Sequence, residues 1–265
     1  MEWLTYDFMQ RALLAGILVA LTCPLIGAFL VARHQAVIGD GLGHIAFAGV
    51  AAGWLLGWQP VASAALFTVA GATAMEWVRK RHTDWPDMVL AIFFYSGMAL
   101  AIILASMKRA GGLNLASFLF GSLITVDVTD LWLIGILGCA IWIIIILLYR
   151  PLVYLAFDET AARVSGLPTS ALNYLLAILT ALTVAVAMRI VGILLVAALM
   201  VIPVACALPG ATGFRTLIIR AVGYALLSVI GGLAAAYYGN FAPGGCIVLA
   251  ATGLFILRSL PIWPH

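Results

Sequence analysis

The stretch ALLAGILVALTCPLIGAFLVA, residues 12–32, lies between Arg11 and Arg33 and contains no charged residue. A helix needs roughly 17–25 predominantly apolar residues to cross the hydrocarbon core of a bilayer, so this run is long enough to span. Comparable runs recur at 40–57, 61–78, 88–106, 131–149, 171–188, 190–208, 217–236 and 244–260. Of the 265 residues, 65% are hydrophobic and 9% charged. An ordinary globular domain is about a quarter charged, so a soluble fold could not hide this much apolar surface. Lipid also dictates the backbone, because every N–H and C=O within it needs a partner inside the spanning structure. That leaves helices or closed barrels, and unbroken runs without two-residue alternation select helices.

The expected fold is therefore all-α, a polytopic transmembrane helical bundle of eight to nine spans in a single domain, residues 1–265. Nine is the count if 171–188 and 190–208 are separate, eight if they form one bent helix through Arg189. No charged n-region with a small-residue cleavage site precedes residues 12–32, so they read as a mature span. Residues 113–125 are apolar but too short to cross, and are expected to form a re-entrant or interfacial helix on the outer face. Placing the N-terminus outside puts Arg33, Arg79, Lys80, Arg81, Arg150, Arg163, Arg215, Arg220 and Arg258 on the cytoplasmic side. Arg11, Lys108, Arg109 and Arg189 fall outside, which satisfies the positive-inside bias, and nine spans then leave the C-terminus cytoplasmic. The net charge of +3 is spread over loops with no basic stripe, excluding a nucleic-acid partner and favouring anionic headgroups. Cys23, Cys139, Cys206 and Cys246 lie far apart without CxxC spacing and read as packing residues.

Among these spans one pair of ionisable groups stands out, in Gly39-Asp40-Gly41-Leu42-Gly43-His44. Asp40 and His44 are i and i+4, so a helix projects both from one face. Ionisable groups within a span are costly and usually mark a pathway. The flanking glycines leave room for a partner helix or an ion. Carboxylate plus imidazole is half of a transition-metal site; alternatively, the two make a local hydrogen bond and cap the helix. A two-fold dimer would assemble two Asp and two His, the number and type that suit zinc, and manganese would add water or carbonyl ligands.

A second constellation lies in the polar connector Phe157-Asp158-Glu159-Thr160-Ala161-Ala162-Arg163-Val164-Ser165-Gly166-Leu167-Pro168. Acids at its start, then a glycine stop and a proline, predict a short helix. It is either an ordinary connector or a helix that docks in a groove of another subunit. Neither Lys80 nor Lys108 belongs to a GxxxxGK[ST] sequence, so any ATP must be hydrolysed by a partner chain. Glu76 reads as an interfacial group beside Arg79 and Lys80, and His34, His82 and His265 as loop or terminal residues.

These residues together resemble the permease family of zinc, manganese and iron ABC importers, and with it the type II importer permeases. The resemblance runs over nearly the whole chain. It is carried by Gly39-Asp40-x-Leu42-x-His44, Leu119-Phe120-Gly121, Asp158-Glu159-x-Ala161-x-x-x-Ser165-Gly166, Val191-Gly192-x-Leu194-Leu195-Val196 through Pro203, and Pro243-Gly244. It implies a prokaryotic inner-membrane transport subunit, not an enzyme, that carries a divalent metal (zinc or manganese, with iron as a third choice) and holds no permanent cofactor. The implied partners are a second permease copy, two cytoplasmic ATP-binding subunits and an extracytoplasmic metal-binding solute-binding protein. By the same resemblance Asp40 and His44 are metal ligands of the translocation pathway. Residues about 156–168 become the coupling helix, with Asp158, Glu159, Ala161, Ala162, Arg163 and Gly166 as ATPase-coupling positions. Relatives often carry acids where this chain has Asn240 and Ser122. The competing readings are a gradient-driven secondary metal transporter and a metal-dependent intramembrane enzyme; the latter lacks a third ligand or an HExxH pattern.

Overall fold

A computed structural model describes residues 7–82, 85–107, 119, 121, 128–188 and 192–259. In chain order the described helices are α1 (Asp7–Ala32), α2 (Ile38–Leu56), α3 (Pro60–Arg81), α4 (Pro86–Met107) and α5 (Val128–Leu147), followed by α6 (Tyr149–Phe157), α7 (Glu159–Val164), α8 (Thr169–Ala187), α9 (Ile193–Ala207), α10 (Phe214–Gly239) and α11 (Pro243–Ser259). The described residues form no strand, so the chain is all-α. Six helices, α1, α3, α4, α5, α8 and α10, are long and apolar enough to cross a membrane. Helix α2 has the length, but Asp40, His44 and its glycines dilute its hydropathy, while α9 and α11 are shorter apolar helices. Most of the outer segment 113–125, with Lys108, Arg109, Ser122 and Arg189, lies outside the described residues.

Helix α1 is the centre of the bundle. Its apolar stretch is 72% buried, against 22% for α4 and 28% for α5, which turn most of their side chains outward. It packs against α9 and α10 on one side and α5 and α8 on another, and α2 is seated between α3 and α4. Close approach rests on small residues, the device expected where lipid offers no hydrophobic drive between helices. Ile45 on α2 is gripped by two of them: a Cβ on Gly71 of α3 or on Gly97 of α4 would lie 2.8 Å from its side chain. Gly27 of α1 meets the Met200 carbonyl of α9, where a Cβ would collide with backbone. Gly27→Ala is therefore expected to lower stability by about 1–3 kcal/mol, the usual cost of overpacking, and to read out as a reduced midpoint in thermal unfolding of the detergent-solubilised chain.

Most buried hydroxyls inside the bundle are satisfied locally, whereas the buried Trp142 Nε1 has no partner among the described residues. Thr22, Thr68, Thr180, Thr183 and Ser228 donate to carbonyls one turn back on their own helices, and Ser63 of α3 donates 2.8 Å across to Gly49 O of α2. Such back-bonding is how hydroxyls sit in apolar helices without an orphaned donor. The four cysteines are free.

One element was not foreseen in the sequence. Residues 149–157 form helix α6, between the expected span 131–149 and the expected connector 157–168. Pro151 lies in its first turn, where backbone N–H groups have no intrahelical partner, so proline starts this helix instead of breaking one. Of the two readings of residues 171–208, a pair of helices or one bent helix, the described residues show the pair, α8 and α9, with Gly192 at φ 87° in the left-handed region at the start of α9. A continuous bent helix through Arg189 would need helical φ there.

Candidate functional site

Asp40 and His44 lie on the first two turns of α2, on one face, as the i, i+4 spacing requires. At 1.5 Å per residue His44 is only about 9 Å from the helix start, so the pair sits near one mouth of the bundle. No side chain caps α2, and Asp40 makes no side-chain hydrogen bond with a described residue. The capping alternative thus has no bond to rest on. His44 is half-buried, its ring edge-on to Phe94 of α4 at 4.6 Å between centroids. Asp40 lines a pocket of about 410 Å³ with Asp87, Phe94 and Tyr95, all from α4. Asp87 was missed in the sequence: an acid in the first turn of a helix after Trp85-Pro86 looks like a partner for the helix dipole. No group of three or more metal-ligating side chains occurs among the described residues.

The turn joining α1 to α2 is tightly specified. His34 N donates to Val31 O at 3.1 Å and Gln35 N to Leu30 O at 2.8 Å, with His34 at φ 56°. This is the Schellman pattern that closes a helix C-terminus. Arg33 therefore has a fixed origin, and its side chain, 6% exposed, points into the protein. Nη2 donates to Glu159 Oε2 at 3.0 Å and Nη1 to Asn173 Oδ1 at 2.6 Å, while Asn173 Nδ2 donates to Glu159 Oε1 at 3.0 Å. The closed triangle joins α1, α7 and α8. Burial pushes the Arg33 pKa below its ordinary value, the Arg79 charge adds to this, and Glu159 and Glu76 oppose both.

Helix α7 is shorter than the expected 156–168. Asp158 is extended at φ −150°, ψ 97°, which ends α6 at Phe157 and lets Asp158 Oδ1 cap α7 by accepting from Ala161 N at 2.8 Å. At the other end Gly166, at φ 80°, donates to Arg163 O, and Leu167 N donates to Ala162 O. The glycine stop is thus a second Schellman turn. Ala162 is buried beneath α7, the Ala161 carbonyl accepts from Ser165, and Val164 and Phe157 are exposed. Arg163, 72% exposed, lies 3.5 Å from Glu159 on the outer side.

Beside this triangle Glu76 and Arg79 make a two-bond ion pair, Nε to Oε2 at 2.9 Å and Nη2 to Oε1 at 3.0 Å, with Glu76 only 2% exposed. Lys80 donates to Ser170 and lies 4.1 Å over the Tyr174 ring. Glu76, Arg79, Lys80, Glu159, Arg163 and Asn173 line one cleft of about 610 Å³. Three of the cations that charge counting assigned to one side, Arg79, Lys80 and Arg163, thus line a single cleft. Asn173 was the site residue with a usable signal, a lone amide within an apolar helix.

The description "ABC 3 transport family" matches residues 5–261. The chain belongs to that family. It is 34% identical over 256 residues to the manganese transport system membrane protein MntC of Halalkalibacterium halodurans, covering 97% of this chain and 88% of that one. It is 32% identical over 252 residues to the high-affinity zinc uptake system membrane protein ZnuB of Haemophilus influenzae, covering 95% and 97%. Among solved structures, PsaBC from Streptococcus pneumoniae in complex with Fab superposes with a TM-score of 0.88 at 28% identity, covering 98% of this chain and 94% of that chain. The likeness extends over both the α2 face and the α7 end. Asn240 closes α10 at φ 53°, its backbone N–H donating to Ala236 O, a left-handed position that asparagine tolerates.

Proposed function

We propose that the chain is the membrane-spanning permease subunit of an ATP-driven importer for a divalent transition metal, zinc or manganese. Two copies form the pathway, two cytoplasmic ATPase subunits drive it, and an extracytoplasmic binding protein delivers the metal. The observation that carries this reading is the Arg33–Glu159 bond. It ties the exposed helix α7, where a motor can push, to the turn from which α2 presents Asp40 and His44 seven and eleven residues on. Each chain brings two ligands, too few to trap a metal tightly, and a second copy would double them. Passage requires sites weak enough to release. Asp87 adds a carboxylate to the pocket that Asp40 lines. The α7 segment is the coupling helix, and Asp158, Glu159, Ala161, Ala162, Arg163 and Gly166 are its coupling positions.

The whole chain acts as one domain of an inner-membrane protein. The separation of α8 from α9 at Gly192 supports nine crossings, α1 to α5 and α8 to α11, with the N-terminus outside and the C-terminus cytoplasmic. Reconstituting the chain in liposomes with its ATPase and binding protein tests the proposal. Uptake of radioactive zinc or manganese should require ATP, and the ATPase should co-purify with the chain. Metal flux driven by a gradient alone, without an ATPase, would establish the secondary-transporter reading instead.

A further inference from the structure

The loop between α9 and α10 is held by two arginines. Arg220 of α10 donates to the Gly210 carbonyl, and Arg258 of α11 donates to the Pro209 carbonyl at 3.3 Å. Gly210 is at φ 79°, and a Cβ there would lie 3.1 Å from Arg220 Nη1 and 3.6 Å from Arg258 Nη2. The two guanidiniums therefore converge on one spot. Neither has a carboxylate partner among the described residues. Each guanidinium carries five N–H donors, and one carbonyl bond apiece leaves most of them unused. Two like charges side by side repel, and an anion between them relieves that repulsion.

The arginines stand at the mouth of a cavity of about 810 Å³ that continues along α10 past Gly223, Leu226, Leu227 and Ile230. From Arg220 to Ile230 the helix rises about 15 Å, half the hydrocarbon thickness of a bilayer. The head of the cavity is thus cationic and its length apolar. Leu227 and Ile230 are exposed, so the trench opens sideways, toward the bilayer in a spanning bundle. The α9–α10 loop also lines a pocket with Ala32 and His34, which places this mouth at the same end as the α1–α2 turn. Basic pockets between spanning helices on the cytoplasmic side hold anionic lipid headgroups.

We propose that this cavity binds an anionic phospholipid, its phosphate between Arg220 and Arg258 and an acyl chain in the trench along α10. A free phosphate would use the mouth alone, whereas the apolar length favours the lipid. Gly223 separates the two. It lines the trench, and a Cβ on it would meet nothing within 4 Å, so Gly223→Leu obstructs the trench while leaving both arginines in place. Native mass spectrometry of the full chain, purified from membranes containing phosphatidylglycerol and phosphatidylethanolamine, should find phosphatidylglycerol retained on the wild type. Retention should fall at least tenfold in R220Q/R258Q and also in G223L, both eluting as monodisperse protein. Added phosphatidylglycerol should raise the unfolding temperature of the wild type, and inorganic phosphate should not. Equal retention in all three proteins, preferential retention of the neutral lipid, or equal stabilisation by inorganic phosphate would each overturn the proposal.

Discussion

The double variant Asp40→Asn/His44→Phe should assemble normally yet lose metal uptake by about 100-fold or more. The substitutions are chosen so that shape survives and ligation does not. Phenylalanine keeps a ring edge-on to Phe94, and asparagine keeps the volume of Asp40 in its pocket. The seat of α2 does not depend on the pair, because Ile45 between Gly71 and Gly97 holds the helix against α3 and α4. Asp40 forms no side-chain bond with a described residue whose loss would unfold the turn. Removing groups even one shell beyond a metal typically costs 10–100-fold, so losing both ligands should cost at least the upper figure. Among the described residues no other cluster stands ready to replace them. The assay is ATP-dependent uptake of labelled zinc and manganese in proteoliposomes, with ATPase co-purification as the control for assembly. Wild-type uptake by the double variant would end the ligand assignment.

The parts of this fold that could be read ahead were those governed by one local variable. Apolar length located the helices that now appear as α1 to α5 and α8 to α11, because lipid penalises polar interruptions along the whole of a span. The i, i+4 face of Asp40 and His44 was legible because helical periodicity alone determines it. The glycine stop at Gly166 was legible because few other residues adopt φ 80° without strain. Helix α6 was hidden by Pro151, whose meaning depends on whether it begins a helix or interrupts one.

What could not be read were partners distant in sequence. Arg33 and Asn173 are 140 residues apart, and Arg33 and Glu159 are 126 apart. Arg33 looked like one more cation among those of the cytoplasmic loops, and only its 6% exposure marks it as buried. Asp87 and Phe94 reach the Asp40 pocket through the packing of α4 on α2, which hydropathy does not encode. Glu76 was read as an interfacial group beside Arg79 and Lys80, but its burial in a pair with Arg79 depends on α3 lying against α8.

The Arg33–Glu159 bond carries the second large expected effect, a separation of ATP hydrolysis from transport. Arg33→Ala or Glu159→Gln should reduce uptake about tenfold or more while the assembled complex retains most of its ATPase activity, so that more ATP is consumed per ion moved. The reason is geometric. Helix α7 is only six residues long and is otherwise fixed by its own caps, so its grip on the α1–α2 turn passes through the triangle with Arg33 and Asn173. Breaking a buried ion pair by removing one partner costs about 3–5 kcal/mol. Glu159 is 37% exposed, which lowers the expected cost to about 1–3 kcal/mol and leaves the protein folded. Arg163→Ala is the control, since its bond to the same carboxylate is 3.5 Å long and its side chain is 72% exposed. A pair of that kind contributes about 0.2–1 kcal/mol, so the unfolding midpoint should barely move, and any loss of uptake reports the coupling role of Arg163 itself and not its bond to Glu159. A double-mutant cycle with R33A, E159A and R33A/E159A separates transmission from general damage. If the bond is the link, the second substitution adds little to the loss caused by the first. Additive losses in uptake, or ATPase activity falling in parallel with transport, would mean that α7 acts on α2 by another route.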